Sequence, residues 1–384
     1  QYAPGTFVHN GYLGGLNLGD ASQFESSLQP SEFLSSNYKA KEQITAAYVR
    51  WDQDFSNKTS LIAGLRVEHT AINYTGNYIM NEEDLVGSID HKNDYTNVLP
   101  SVTLKHKFDD NFILRAAVTT SLARPNYYNL APFVNVIQED SEIAAGNPNL
   151  KATYATNFDV MVENYFENIG IVSGGVFYKN LDNFIYTYNN NIYTSNDFSA
   201  EFPTVANPIP AGENWNFTQA RNGDQVSVYG FEVAFQRQLD FLPGKFFKNF
   251  GLYTNYTFTQ SKAKGITSED GSVRDGLGLP RTAPHMFNGS LAWENSKFSA
   301  RLSANYTSKY LDEIGGNEFE DSYYDQQFFL DFNMAYKFTP NWRVFFEANN
   351  LTNQPLRYYQ GDSNRLKQLE YYQSRVTLGI KYDF

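Results

Sequence analysis

Four tyrosine doublets stand out in this 384-residue chain: Tyr127-Tyr128, Tyr323-Tyr324, Tyr358-Tyr359 and Tyr371-Tyr372. Paired rings with hydroxyls can stack on a cyclic or chelated ligand at little entropic cost while offering hydrogen bonds. Arg124, Arg357 and Arg365 lie in the same regions, and a guanidinium fork suits an anionic ligand. The candidate ligand-binding set is therefore Tyr127, Tyr128, Tyr323, Tyr324, Tyr358, Tyr359, Arg124 and Arg357. A second reading stands beside it: tyrosines in an aromatic girdle at a membrane edge, and arginines that are merely solvated or touch lipid headgroups.

No catalytic pattern accompanies these residues. The five histidines (His9, His69, His91, His106 and His285) are far apart, without a His-Glu-x-x-His spacing. Neither Gly-x-Ser-x-Gly nor Gly-x-x-x-x-Gly-Lys occurs. The absence of cysteine removes disulfides, thiolate metal sites and cysteine catalysis. Glu82, Glu83, Asp84 and Asp90 cluster, but their spacing fits no calcium loop. The sequence thus predicts no enzyme, no resident metal and no cofactor. A net charge of −12 argues against nucleic acid as a partner.

The elements that must position the tyrosines are strands. The ending RVTLGIKYDF sets Val376, Leu378, Ile380, Tyr382 and Phe384 on one face, with Arg375, Thr377, Lys381 and Asp383 on the other. The alternation recurs, as in Leu61, Ala63, Leu65 and Val67 against Arg66 and Glu68, or Phe298, Ala300, Leu302 and Ala304 against Arg301 and Asn305. About 13 such segments run from residue 42 to 384. Thirty-one phenylalanines and 28 tyrosines coexist with a low mean hydropathy. That combination suits a narrow apolar band edged by aromatics, with much wet loop.

The connections alternate short and long. Short ones include 56–58, 109–110, 167–168, 295–296 and 339–340. Long ones are expected over 73–95, 123–151, 186–225, 262–284, 308–325 and 354–370. A compact soluble domain has no reason to carry so many long loops; a transmembrane β-barrel sorts its loops this way. No run of 18 apolar residues marks a membrane helix. An arginine facing lipid at the bilayer midplane costs about 2–4 kcal/mol. The charged faces must therefore line a lumen too polar for a small packed barrel. The prediction is an all-β transmembrane antiparallel barrel over 42–384, preceded by a loop-rich segment, 1–41, holding at most one frayed strand.

The C-terminal stretch NNLTNQPLRYYQG…YYQSRVTLGIKYDF resembles the last strands of TonB-dependent receptors. So do YVRWDQDFSNKTSLIAGLRVEHT (48–70), NVLPSVTLKHKF (97–108) and SLARPNYYNLAPF…GNPNLKATYATNFDVMVENYF (121–166), in a style similar to Bacteroidetes members. Ala152 departs from the proline that often follows GNPNLK. The resemblance implies an outer-membrane receptor that imports a scarce ligand, such as an iron chelate, haem, a vitamin, a glycan or a peptide. It implies TonB-coupled energy acting through a plug domain outside this chain, and integral outer-membrane localisation with extracellular long loops. Partners would then be the imported ligand, outer-membrane lipid, the barrel-assembly machinery and, in some members, a surface lipoprotein. Phe384, Tyr382, Ile380, Leu378 and Val376 would carry the assembly signal, and Asn353 would have a structural role at a strand end. Because family barrels have 22 strands, this chain would supply the last 13. The alternatives are a complete 14-stranded passive channel, using 6–18 as a strand, a structural or partner-binding barrel in a larger assembly, or a soluble β-protein.

Overall fold

The computed structural model describes residues 36–384, apart from Glu82, 167–169 and Lys245, together with a few positions between 17 and 34. Most of the loop-rich segment 1–41 and nearly all of the alternative strand over 6–18 thus fall outside the described residues, as does the turn 167–168, while the first strand already begins at Lys39.

The main sheet has 17 strands, four of which belong to the connections; the remaining thirteen form one antiparallel meander. In chain order these are β1 (Lys39–Asp54), β2 (Thr59–Met80), β3 (Asp84–Lys107), β4 (Phe112–Ala123), β5 (Thr153–Tyr165), β6 (Gly170–Asp182) and β7 (Gln225–Gln238). They continue as β8 (Phe250–Ala263), β9 (His285–Glu294), β10 (Phe298–Thr307), β11 (Gln327–Lys337), β12 (Trp342–Asn349) and β13 (Arg375–Tyr382). Each pairs with its sequence neighbours in the series. Among the described residues, β1 pairs only with β2, and β13 only with β12.

Register turns the local alternation into continuous rows. Leu61, Leu104, Ala116, Val160, Val176, Phe231 and Phe258 are successive partners across β2 to β8. On the opposite face Arg301, Asn333, Glu347 and Thr377 are partners across β10 to β13. The ladder hydrogen bonds fix the backbone, and a one-residue slip in any strand would put a charge among the apolar side chains. Most of the apolar face is exposed in the protein alone; Leu378 is 72% exposed.

The short turns share one end and are tied by polar side chains. Asp109 Oδ1 accepts from the backbone of Asn111 and Phe112 at 2.8 and 2.7 Å. Asn295 Oδ1 accepts from Lys297 and Phe298, both at 2.8 Å. Such turns mimic a backbone hydrogen bond and need only two or three residues.

The other end differs from expectation. Residues 73–95 are not a loop: β2 runs on to Met80 and β3 starts at Asp84, forming a tall hairpin. The 123–151 and 186–225 connections carry strands Val134–Ile137, Glu142–Ala145, Ile185–Thr194 and Asn214–Asn222. They also hold two short helices, α1 (Tyr127–Leu130) and α2 (Ser195–Glu201). Thr194 and Asp197 close a reciprocal cap at the start of α2. The hydrophobic core sits here. Val134, Val136, Ile143, Tyr193, Phe198, Phe217, Val226 and Ile266 are buried in one cluster, with Ile72, Tyr74, Leu130 and Phe133 in a second. The last strand is also shorter than the alternation suggests. Gln373, at φ 60°, breaks the run, so Tyr372 and Ser374 lie outside β13.

Candidate functional site

The long-loop end is a cap. Its four strands are seamed to the wall at the top of β2, where Tyr78–Met80 pairs in parallel with Val134–Val136. Val134–Ile137 pairs with Glu142–Ala145, which runs parallel to Asn216–Gln219; that strand in turn pairs with Ile185–Thr194. Phe217 and Tyr193 stack at 4.2 Å between ring centroids and 10° between planes. The Tyr193 hydroxyl donates to Glu201 Oε2 at 3.1 Å. Burial, with the Glu201 carboxylate, holds that hydroxyl neutral far above the usual tyrosine range.

Side chains lock the other connections onto this body. Tyr78 Oη donates to the Ala206 carbonyl at 2.9 Å, and the Thr267 amide to Tyr186 Oη at 3.0 Å. Arg274 pairs with Asp321, whose side chain is 2% exposed. Asp321 also accepts from the Gly315 amide at 3.0 Å. Arg221 lies 3.8 Å from the Tyr188 ring centre and binds both oxygens of Glu201. Neither ion pair was marked by local sequence, since Arg274 and Asp321 are 47 residues apart.

The predicted tyrosines fall into two groups. Tyr323, Tyr324, Tyr358 and Tyr359 come together on a separate four-stranded sheet made of Tyr310–Glu313, Ser322–Tyr324, Leu356–Gln360 and Leu366–Glu370. Tyr323 stacks on Tyr359 at 5.2 Å, and Tyr324 meets Tyr358 at 4.5 Å. The doublets thus face each other across two strands. Burial raises all four hydroxyls above the ordinary tyrosine value, so they remain neutral donors. Arg357 is engaged by Asp325 and by the Ser363 carbonyl, and Arg365 donates to the Phe319 carbonyl at 2.8 Å.

Arg124, Tyr127 and Tyr128 form the second group, where the 123–151 connection leaves the wall. Arg124 binds Glu68, donates to Thr70 Oγ1 at 3.2 Å, and has Nε 3.8 Å from Glu42 Oε1. Tyr127 Oη donates to Glu42 Oε2 at 2.9 Å, while the Tyr128 ring packs 4.5 Å from that of Phe133. Both carboxylates thus satisfy protein groups and hold α1 against β1 and β2. Tyr371 and Tyr372 are exposed, and Tyr372 hydrogen-bonds Glu370. Asn353 sits at φ 48° in the tight turn after β12, where Asn350 Oδ1 accepts from the Gln354 amide at 2.8 Å.

A cleft of about 530 Å³ opens beside the second group. It is lined by His91, Asn93, Tyr95 and Asn97 of β3, and by Lys151 and Tyr154 from the opposite side. Tyr95 Oη and Asn97 Nδ2 are buried and have no hydrogen-bond partner among the described residues. Sequence reading missed His91, Asn93 and Tyr95 because it placed 73–95 in a loop, and it did not single out Asn97 at the start of the next strand. The signal was present as His91, Asn93, Tyr95 and Asn97 at period two.

The sequence model described as TonB dependent receptor-like, beta-barrel matches residues 3–351. The chain belongs to the TonB-dependent receptor β-barrel family. The family places this receptor barrel in the outer membrane. Its fold is similar to that of the copper transporter OprC, at TM-score 0.60 and 15% identity over 90% of this chain and 48% of that one. The ferric-catecholate import receptor Fiu from K12 E. coli gives TM-score 0.62 and 13% identity, covering 90% of this chain and 45% of its own. The ferric yersiniabactin uptake receptor FyuA from Yersinia pestis gives 0.58 and 14%, covering 90% and 46%. The receptor barrel therefore spans about half the length of the solved structures it matches. A search of curated proteins found no sequence match.

Proposed function

We propose that this chain forms wall and ligand-collecting loops of an outer-membrane importer driven by TonB. The observation that carries this reading is the cap: long loops fold into one cored body beside a polar cleft containing unsatisfied donors. A passive channel needs a wet lumen but no such body. β1 and β13 are unpaired on one side among the described residues. Lipid tolerates no open sheet edge, so further strands would close the barrel, in line with the half-length coverage of its neighbours. TonB would act through a plug seated in the lumen. The ligand would be a scarce solute of the iron-chelate, haem, vitamin, glycan or peptide kind, with a surface lipoprotein as an optional lid. Catalysis is no part of this reading. Phe384, Tyr382, Ile380, Leu378 and Val376 would guide the barrel-assembly machinery.

The test is uptake in cells carrying the complete receptor, with ferric citrate, a ferric catecholate, copper, cobalamin and a malto-oligosaccharide as probes. Accumulation of one probe that stops on uncoupling supports the importer; flux that persists without energy makes it a channel. Orientation is tested with Ser199→Cys in α2 and Asp110→Cys in a short turn, since native cysteine is absent. An impermeant maleimide should label only the first in intact cells. Deleting Phe384 should lower the yield of assembled barrel without changing the unfolding midpoint of what assembles.

A further inference from the structure

Arg237 stands where the lipid-facing surface should be apolar. It continues the outward series Val233 and Phe235 along β7, and its row partners are Leu252, Leu291 and Leu302. It lies at the short-turn end. The guanidinium carbon is 4.4 Å from the Phe166 ring centre and 4.2 Å from that of Phe241. Among the described residues Nε has no hydrogen-bond partner, and no ion pair joins Arg237 to a carboxylate. Around it Phe241, Phe246 and Phe247 are exposed. Trp293 Nε1 donates to the Phe246 carbonyl at 3.0 Å. Lys248 is exposed on the same turn, whose backbone is pinned by Gln238 Nε2 at 2.8 Å.

An arginine near the membrane interface costs far less than one at the midplane. Position alone therefore tolerates Arg237, but does not explain the clamp. Two rings within 4.4 Å of the guanidinium carbon restrict its movement. Cation–π attraction to each ring adds to this hold, and more so where water is excluded. A fixed planar fork matches a phosphate better than a mobile ammonium does. The exposed phenylalanines beside it fit the first methylenes of acyl chains.

We propose that Arg237, clamped by Phe166 and Phe241, is the headgroup site for an anionic membrane lipid and takes the lipid phosphate on its guanidinium edge. The site depends on the outer-membrane barrel, not on the import reading. At the short-turn leaflet the lipid is an anionic glycerophospholipid.

The test is native mass spectrometry of the full detergent-purified receptor with dioleoyl phosphatidylglycerol, dioleoyl phosphatidylcholine or lipid A at equal concentrations. Wild type should retain phosphatidylglycerol over phosphatidylcholine. Arg237→Gln should cut that retention about tenfold, the loss expected for one charge-assisted hydrogen bond. Arg237→Lys should restore only part of it, because the point charge lacks the fork. The inward-facing Arg301→Gln should change nothing. Gel mobility before heating confirms that each variant is folded. Retention of lipid A instead keeps the phosphate site and moves its source to a phosphorylated glycolipid. Equal retention of phosphatidylcholine, or an unaltered Arg237→Gln protein, overturns the proposal.

Discussion

The wall and the cap are built from the same aromatic-rich strands, yet they satisfy their side chains in opposite ways. Along the wall, Val176, Phe231, Leu302 and Leu378 stay exposed on the protein itself, and the membrane is their solvent. In the cap, Phe217, Tyr193 and Phe198 are almost wholly buried against one another. The wall is thus specified by register and main-chain ladders, and the cap by volume, as in a soluble core. Truncation should be expensive in the cap, and added charge should be expensive on the wall.

The largest expected effect is Phe217→Ala, which empties the ring stacked on Tyr193 and should cost the cap about 3–5 kcal/mol. Hydrogen exchange should accelerate in 134–145 and 185–222 while β9 to β12 keep their protection. Equal loss in the wall would show that the two regions unfold together, and would break the comparison. Arg274→Ala should be of similar size, about 3–5 kcal/mol, because it strands the buried Asp321 carboxylate. Replacing both partners by apolar residues (Arg274→Met with Asp321→Leu) should recover most of that loss.

Next comes Leu302→Arg, on the outward face of β10, which should lower barrel stability in liposomes by about 2–4 kcal/mol. A urea midpoint read from the gel shift of the folded barrel measures it. A null result would mean that this row does not face lipid. Smaller still, Tyr324→Leu breaks the contact with Tyr358 and should cost about 0.5–1.5 kcal/mol, seen as faster exchange confined to Leu356–Gln360. Arg50→Ala on β1 should leave the urea midpoint nearly unchanged, since the Arg50–Asp52 pair is 59% and 54% exposed.

Much of the wall was legible in the sequence. The short connections read at 56–58, 109–110, 295–296 and 339–340 do fall between wall strands, because one apolar face per strand leaves a period-two trace on either side of each turn. The tall hairpin of β2 and β3 was not legible above residue 72. One face, with Asn73, Thr75 and Asn77 on one strand and Asp90, Lys92 and Asp94 on the other, is polar, while Ile72, Tyr74 and Tyr78 on the other face are buried against the cap and leave no lipid-facing stripe. The Tyr323 and Tyr358 doublets were found, but their mutual stacking was not, since a doublet carries no signal for its partner 35 residues away. Arg237 interrupts the apolar series of Val233 and Phe235, and Phe166, 71 residues earlier, explains how it is held.

The sequence by itself determined that this chain is a membrane wall, since alternation and loop sorting are local properties and lipid enforces them strand by strand. Only the tertiary structure decided that the long connections form one body with its own core. Burial there depends on pairs such as Arg274–Asp321 and Phe217–Tyr193, which chain spacing does not encode and which exist only after the wall has brought the loops to one end.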